Sequence, residues 1–317
     1  MPRAVYYIAA AVALSALPFV LGSYQGDVYR KMLLWVTLAL GYNFLFGIAG
    51  QIAFSHFAFY GIGAYGVVIL WSKLGIPLPL AIAGAIAICA LLALAVAIPA
   101  TRLEGFYLAL ATLAFAQLVI VVLTEGGELT GGAAGIQRYA LPSVFGVRIV
   151  GPIYTIVIVL LLVGTFALLS RLDRSWFGRA CRAIRDNSVA ASAMGVDVAR
   201  IKITAFALTS TLAGAAGVVY AFVDNGVAPT SFDIDKVFTL LFMVIVGGSG
   251  RLAGAVVGAV LLYLAPPVLE PYVGHHHPLV YGLLMLGVIL FQREGLIGLY
   301  DSVRRRLRPP ALARQGA

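Results

Sequence analysis

Charge is what this 317-residue sequence has least of: Asp, Glu, Lys and Arg together supply 11% of its residues, against about 25% in soluble globular domains. A water-soluble fold of this length needs far more polar side chains to cover its surface, so a soluble globular protein is excluded. Cysteine is scarce as well. Cys89 lies in an apolar run and Cys181 in a basic loop, which is no disulfide framework. Enzyme signatures are missing: no G-x-S-x-G, H-E-x-x-H, Walker A or paired C-x-x-C pattern occurs, and no catalytic residue is assigned. Gly61, Gly63 and Gly66 spell part of a dinucleotide fingerprint. They sit inside an apolar run, not between a strand and a helix, so that reading fails. His275, His276 and His277 offer imidazole nitrogens, but no Cys or carboxylate cluster supports them, and no metal site is expected. The chain also lacks the dense series of intramembrane carboxylates and histidines that a proton relay uses. Glu104 and Asp224 both fall at the ends of apolar runs.

What is present is apolar: 62% of residues are hydrophobic and the mean hydropathy is +0.99. Disorder is excluded by that content. Apolar stretches cover about 4–22, 30–50, 54–71, 78–100, 105–123, 151–170, 203–223, 237–247, 252–269 and 278–291. At about 20 residues per crossing, these predict an all-α, polytopic transmembrane helix bundle of about eight to ten membrane segments, one domain over 1–317. The stretches at 237–247 and 278–291 are short, and read as re-entrant pieces or as spans that extend into polar flanks lining protein. The first stretch lacks a small-x-small cleavage site and is followed directly by another, so it reads as an uncleaved anchor.

A net charge of +9 raises nucleic acid as a partner, but its distribution argues for membrane topology instead. With the N-terminus inside and all ten stretches crossing, the inside receives Arg3, Arg102, Arg251, the block 171–202 with its seven basic residues, and the tail 293–317 with six. Six remain outside: Arg30, Lys31, Lys73, Arg138, Arg148 and Lys236. Both termini are therefore expected in the cytoplasm and no nucleic acid is expected to bind. The glycine-rich loop 124–150 falls outside, as a partly ordered lid or a simple surface connection. The run Arg304-Arg305-Arg306 has no apolar face and reads as topology and lipid-headgroup contact. The inside segment 171–202 is different. Its section 179–194 predicts an amphipathic helix, with Ala180, Ala183, Ile184, Ala190, Ala191 and Met194 among charged residues and Gly195 as its stop. Such a helix must bury its apolar face against headgroups or a partner protein.

Polar residues inside apolar runs are costly and mark candidate pathways. Asn43, Gln51, Ser55 and His56 flank Gly47 and Gly50, where a broken helix would free backbone groups to meet a polar solute. The alternative is hydrogen bonding between helices and nothing more. Thr112 and Gln117 are weaker candidates of the same kind. Gly250, Gly254 and Gly258 form a GxxxGxxxG pattern, read as close helix packing.

Five segments together resemble the branched-chain amino-acid ABC transporter permeases, on the LivM side of the LivH/LivM type: GQIAFSHFAFYGIGAY at 50–65, RLEGFYLALATLAFAQ at 102–117, LTGGAAGI at 129–136, GRACRAIRDNSVAASAMGV at 178–196 and VGGSGRLAGAVVGA at 246–259. The resemblance implies a permease of the bacterial inner membrane that pairs with a second, LivH-like permease. It also implies two cytoplasmic ATPase subunits, which hold ATP and magnesium, and a periplasmic solute-binding protein. This chain itself would carry no cofactor and no enzymatic activity. Segment 178–196 would then be the coupling helix docked in an ATPase groove, through Gly178, Arg179, Arg182, Arg185, Asp186, Ala190, Ala191 and Gly195. The general importer motif has Glu where this chain has Val189, which leaves that charge contact to the neighbouring Arg and Asp side chains. Relatives with this pattern move leucine, isoleucine and valine, and also urea, short amides and aromatic acids. Two other classes compete: a self-contained secondary transporter or channel, which would need no ATPase, and an integral membrane enzyme acting on lipid, which would need clustered acid, base or metal ligands.

Overall fold

The computed structural model describes residues 3–19, 22–103, 105–137, 139, 143–144, 147–148, 152–273, 282–283 and 295–298. His275–His277, Glu104, most of the stretch 278–291 and most of the basic tail 293–317 lie outside them. The order of elements begins with α1 (Arg3–Ala16), α2 (Ser23–Asn43, continued by a π-helical turn Phe44–Ile48), α3 (His56–Val68, continued by a π-helical turn Ile69–Lys73), α4 (Leu78–Ala100) and α5 (Phe106–Glu125). The short α6 (Gly127–Thr130) and strands β1 (Ile136–Gln137), β2 (Ser143–Val144) and β3 (Val147–Arg148) follow. Then come α7 (Pro152–Arg174), α8 (Trp176–Asp186), α9 (Ser188–Ala193), α10 (Val198–Asp224), β4 (Gly226–Val227), α11 (Ile234–Gly247) and α12 (Leu252–Val273).

Among the described residues six helices are long and apolar enough to cross a membrane: Ser23–Ile48, Leu78–Ala100, Phe106–Glu125, Ile153–Arg174, Val198–Asp224 and Leu252–Leu269. Their arrangement inverts the rule for soluble proteins. The least apolar, Ser23–Ile48, has a mean hydropathy of 1.4 and is 83% buried, whereas Leu78–Ala100, at 2.8, is only 28% buried. Lipid tails are as apolar as leucine, so the most hydrophobic helices face outward, and polarity and small side chains collect inside. Accordingly α2, α3 and α10 form the centre, with α4, α5, α7 and the α11–α12 hairpin around them.

Small residues decide how closely these helices approach. On α4 the buried positions run Ala81, Ala85, Cys89, Ala93 and Ala97 at four-residue spacing, with Ala100 three further on, which places one narrow face against the centre. Leu80, Leu91, Leu94 and Ile98 point away, exposed. The α3–α10 crossing is tighter still. A Cβ at Gly63 would overlap the Gly214 carbonyl, and one at Gly217 would overlap that of Tyr60. In the α11–α12 hairpin a Cβ at Gly254 or Gly258 would strike the backbone of Gly247. Gly250, grouped with them by its spacing, lies before α12 in the turn, at φ +84°.

Contacts sort the loops to two opposite ends. At one end Lys73 Nζ donates to the Glu128 carbonyl, Lys31 pairs with Asp224, and β1 pairs antiparallel with β4, Ile136 opposite Val227. The described part of loop 124–150 is thus held to the end of α10, with Tyr139 donating its hydroxyl to the Ala221 carbonyl. At the other end α8 and α9 pack beneath α2, α7 and α10.

Candidate coupling and translocation site

The segment between α7 and α10 folds as two short helices rather than the single one expected over 179–194. Capping residues set the breaks. Ser175 Oγ accepts from the Phe177 amide (3.1 Å), Asn187 Oδ1 from Ala190 (2.9 Å) and Asp197 Oδ1 from Arg200 (3.0 Å). Asn187 caps well and propagates helix poorly, so α8 ends and α9 begins there. Gly195 ends α9 at φ +83°. Its amide donates to Ser192 O (2.9 Å) and that of Val196 to Ala191 O (3.1 Å), the paired bonds of a Schellman stop.

The apolar face of this segment is divided. Gly178, Ala180, Cys181, Ile184 and Ala191 are buried against the bundle, and a Cβ at Gly178 would overlap the Leu172 and Asp173 carbonyls. Ala183 and Ala190 are exposed, as are Val189 (77%) and Met194 (85%). Arg179 and Asp186 also face outward. Arg182 is turned inward to an ion pair with Asp173, its Nη2 donating to the Asp173 carbonyl at 2.8 Å. Burial pushes the Cys181 thiol up to about 12, with Asp173 adding to the shift and Arg182 opposing it.

Arg185 is exposed, yet its guanidinium reaches back to the bundle, where the polar residues of α2 meet it. The last turn of α2 widens to a π-helix, with Ala49 N donating to Phe44 O (2.9 Å) and Gln51 N to Leu45 O (3.0 Å). Gly50 then takes φ +69°, and a Cβ there would collide with Cβ and Cγ of Arg185 at 2.7–2.9 Å. The Arg185 guanidinium donates to the Gly47 carbonyl. Asn43 Oδ1 accepts from the Gly250 amide (2.9 Å), which brings the α11–α12 turn to the same point. The non-helical link 50–55 is fastened from two sides: Gln51 Nε2 donates to the Lys202 carbonyl (3.2 Å) and Thr112 Oγ1 accepts from Phe54 N (2.9 Å). A break of this kind persists in a membrane protein only where protein groups replace the lost helical bonds.

A cavity of about 360 Å³ opens at this end, bordered by Gly50, Gln51, Arg185, Asp186, Asn187 and Lys202. Of the residues that the sequence offered for a pathway, Gln51 borders it. Asn43, Ser55, His56 and Thr112 are fully buried beside it. Among the described residues Ser55 Oγ and both ring nitrogens of His56 have no hydrogen-bond partner, and the His56 ring stands edge-on to Tyr42 with centroids 5.1 Å apart. Gln117 is not brought to this cluster: it is exposed on the outward face of α5. Sequence reasoning missed Gly47 as a hydrogen-bond acceptor and Lys202 as a neighbour of Gln51. Backbone carbonyls carry no residue-type signal, and these partners lie more than a hundred positions away. Among the described residues no group of three His, Cys, Asp or Glu side chains converges to hold a metal.

A multi-pass bundle with a polar, broken helix pair over a short capped helix pair defines a membrane transport component. The family described as the branched-chain amino acid transport system permease component matches residues 26–292, and the chain belongs to it. It is 28% identical over 319 aligned residues to the high-affinity branched-chain amino acid permease LivM of Escherichia coli K12, covering 92% of this chain and 74% of that protein. A probable branched-chain amino acid permease LivH of Methanocaldococcus jannaschii is 27% identical over 214 aligned residues, 63% of this chain and 66% of that one. The autoinducer 2 import permease LsrC of Salmonella paratyphi B is 27% identical over 65% of this chain and 59% of that one. No solved structure matches the chain.

Proposed function

We propose that this chain is one of two permease subunits of an ATP-driven importer in the bacterial cytoplasmic membrane, passing branched-chain amino acids or related small polar solutes inward. The end bearing α8 and α9 faces the cytoplasm, in keeping with its arginines, and the end bearing β1 and β4 receives solute from a binding protein. One of two ATPase subunits, which hold ATP and magnesium, grips α9. The observation that carries this is the division of the amphipathic segment. α8 spends Gly178, Ala180, Cys181 and Ile184 on the bundle and leaves Trp176 exposed at its start, while Val189 on α9 and Met194 at its end stay bare, as a helix-in-groove contact requires. Closure of the ATPases would push α9, and α8 would carry the push to Gly47 and Gly50 at the end of α2.

The experiment is recovery of the tagged chain from its native membranes in a gentle detergent, with Met194→Glu and Val189→Glu beside the wild type. Wild type should bring down ATPases and a second permease. Both variants should lose the ATPases, keep the second permease and elute as a single species. Wild type recovered alone, where a known ABC importer stays intact, overturns the reading in favour of a self-contained transporter.

A further inference from the structure

The end of the bundle opposite α8 holds a second recess, of about 350 Å³, whose walls come from α2, α3, α10, α12, the first turn of α11 and the segment leading into it. Its inner wall reaches the protein centre: Phe57 and Tyr60 line it and are 1% and 4% exposed. Trp35 and Tyr263 supply further aromatic surface, and Lys31 and Lys236 supply two ammonium groups. Asp224 stands beside it, with Lys31 Nζ 2.5 Å from Oδ1 and the Tyr220 hydroxyl donating to Oδ2 at 2.8 Å. Lys236 makes none of the ion pairs found among the described residues. The recess therefore holds one ammonium paired with a carboxylate at its margin, which is held from two sides, and a second, Lys236, that makes no ion pair among the described residues.

We propose that this recess receives a small α-amino acid on its way into the bundle: Lys236 takes the carboxylate, Asp224 takes the protonated amine, and the aromatic walls take an aliphatic side chain. The inference rests on the import function proposed above and names the solute chemistry of that path. A ligand site of this kind is mostly apolar, with a few polar groups that fix orientation, and the lining has that make-up. A neutral solute such as urea would leave Lys236 without an anion. A lipid headgroup would bring a phosphate to a place where Asp224 already supplies negative charge, and the walls run inward to buried Phe57 and Tyr60 rather than along the membrane surface. Sharing Asp224 between Lys31 and the solute amine also keeps the hold loose enough for onward release.

Two readouts test this. In cells carrying the chain with its partner subunits, Lys236→Gln should raise the KM for L-leucine uptake about tenfold, the loss expected for one charged hydrogen bond, while Lys236→Arg stays near wild type. In the purified chain carrying Thr230→Cys, on the exposed rim of the recess, saturating L-leucine should slow modification by an anionic methanethiosulfonate, and this protection should vanish when Lys236→Gln is added. Cys89 and Cys181 are buried and give little background. Protection without uptake would sink the import reading and leave the recess standing. Uptake with an unchanged KM in Lys236→Gln, or no protection by leucine, would overturn the recess and assign its lysines to lipid headgroups.

Discussion

The Arg185 guanidinium donates to the carbonyl oxygen of Gly47, 138 positions earlier in the chain, and so ties α8 to the π-helical end of α2. The link is not isolated. A Cβ on Gly250 would lie 3.2 Å from Arg185 Nη1, and the Gly250 amide is held by Asn43 Oδ1. One side chain thus joins α8, the break after α2 and the turn between α11 and α12. An arginine reading from sequence as a docking contact stays exposed in the folded chain and also bonds back to the bundle as a strut.

Arg185→Gln removes a hydrogen bond with a charged donor, worth about 1.5–3 kcal/mol. Co-purification of the ATPases should survive, because Val189 and Met194 are untouched. Transport per ATP hydrolysed should fall. Equal coupling ratios in the variant and the wild type, measured in reconstituted vesicles, would show that the strut transmits nothing.

Thr112→Val keeps the shape of the side chain and deletes the acceptor for the Phe54 amide. An unsatisfied buried amide costs about 1–3 kcal/mol. The thermal midpoint in detergent should drop, and Thr112→Ser should restore it. A valine variant as stable as wild type would mean that the 50–55 link draws nothing from α5.

Gly258→Leu forces a side chain into the backbone of Met243 and Gly247, and overpacking of this sort costs about 1–3 kcal/mol or more. The neighbouring Val257, which is exposed, is the control: Val257→Leu should leave stability unchanged. The comparison is read from the fraction of monodisperse protein after a heating series.

Cys181 should resist maleimide at pH 8 in the folded chain, since its thiol is pushed up to about 12 by burial and the thiolate is the reactive form. Its folded pKa lies above the unfolded one, so unfolding releases a proton once the pH exceeds the ordinary thiol value. The stability from this group is full below about 9 and declines as pH rises towards about 12. Rapid labelling of the native chain in a Cys89→Ala background would contradict the packing of α8 against the bundle.

Much of the fold follows from composition and pattern. Runs of apolar residues with few charges have only the helix open to them in a bilayer, so the helices α2, α4, α5, α7, α10 and α12 were legible, as was the position of the amphipathic segment between α7 and α10. The five motif segments were sufficient to place the family. The break at Asn187 was readable too, since Asn caps helices, but the amphipathic pattern masked it by running through both α8 and α9.

Which face of each helix turns inward was less legible, because a helix that is apolar all round carries no moment to orient it. On α5 nothing in the sequence separates Thr112, which is buried and bonded, from Gln117, which is exposed. On α8 nothing separates Arg179, bonded locally to the Arg174 carbonyl, from Arg185, bonded to the distant Gly47 carbonyl. The sequence by itself determined that this chain crosses the membrane as helices and carries a short helical segment between α7 and α10. Only the tertiary structure decided that the polar break after α2 is fastened by Arg185, Gln51, Thr112 and Asn43, and that Lys31, Asp224 and Lys236 gather at one recess. The reason is physical: local pattern sets where backbone hydrogen bonds must close within a segment, whereas bonds to distant carbonyls and contacts allowed by glycine depend on how whole helices pack.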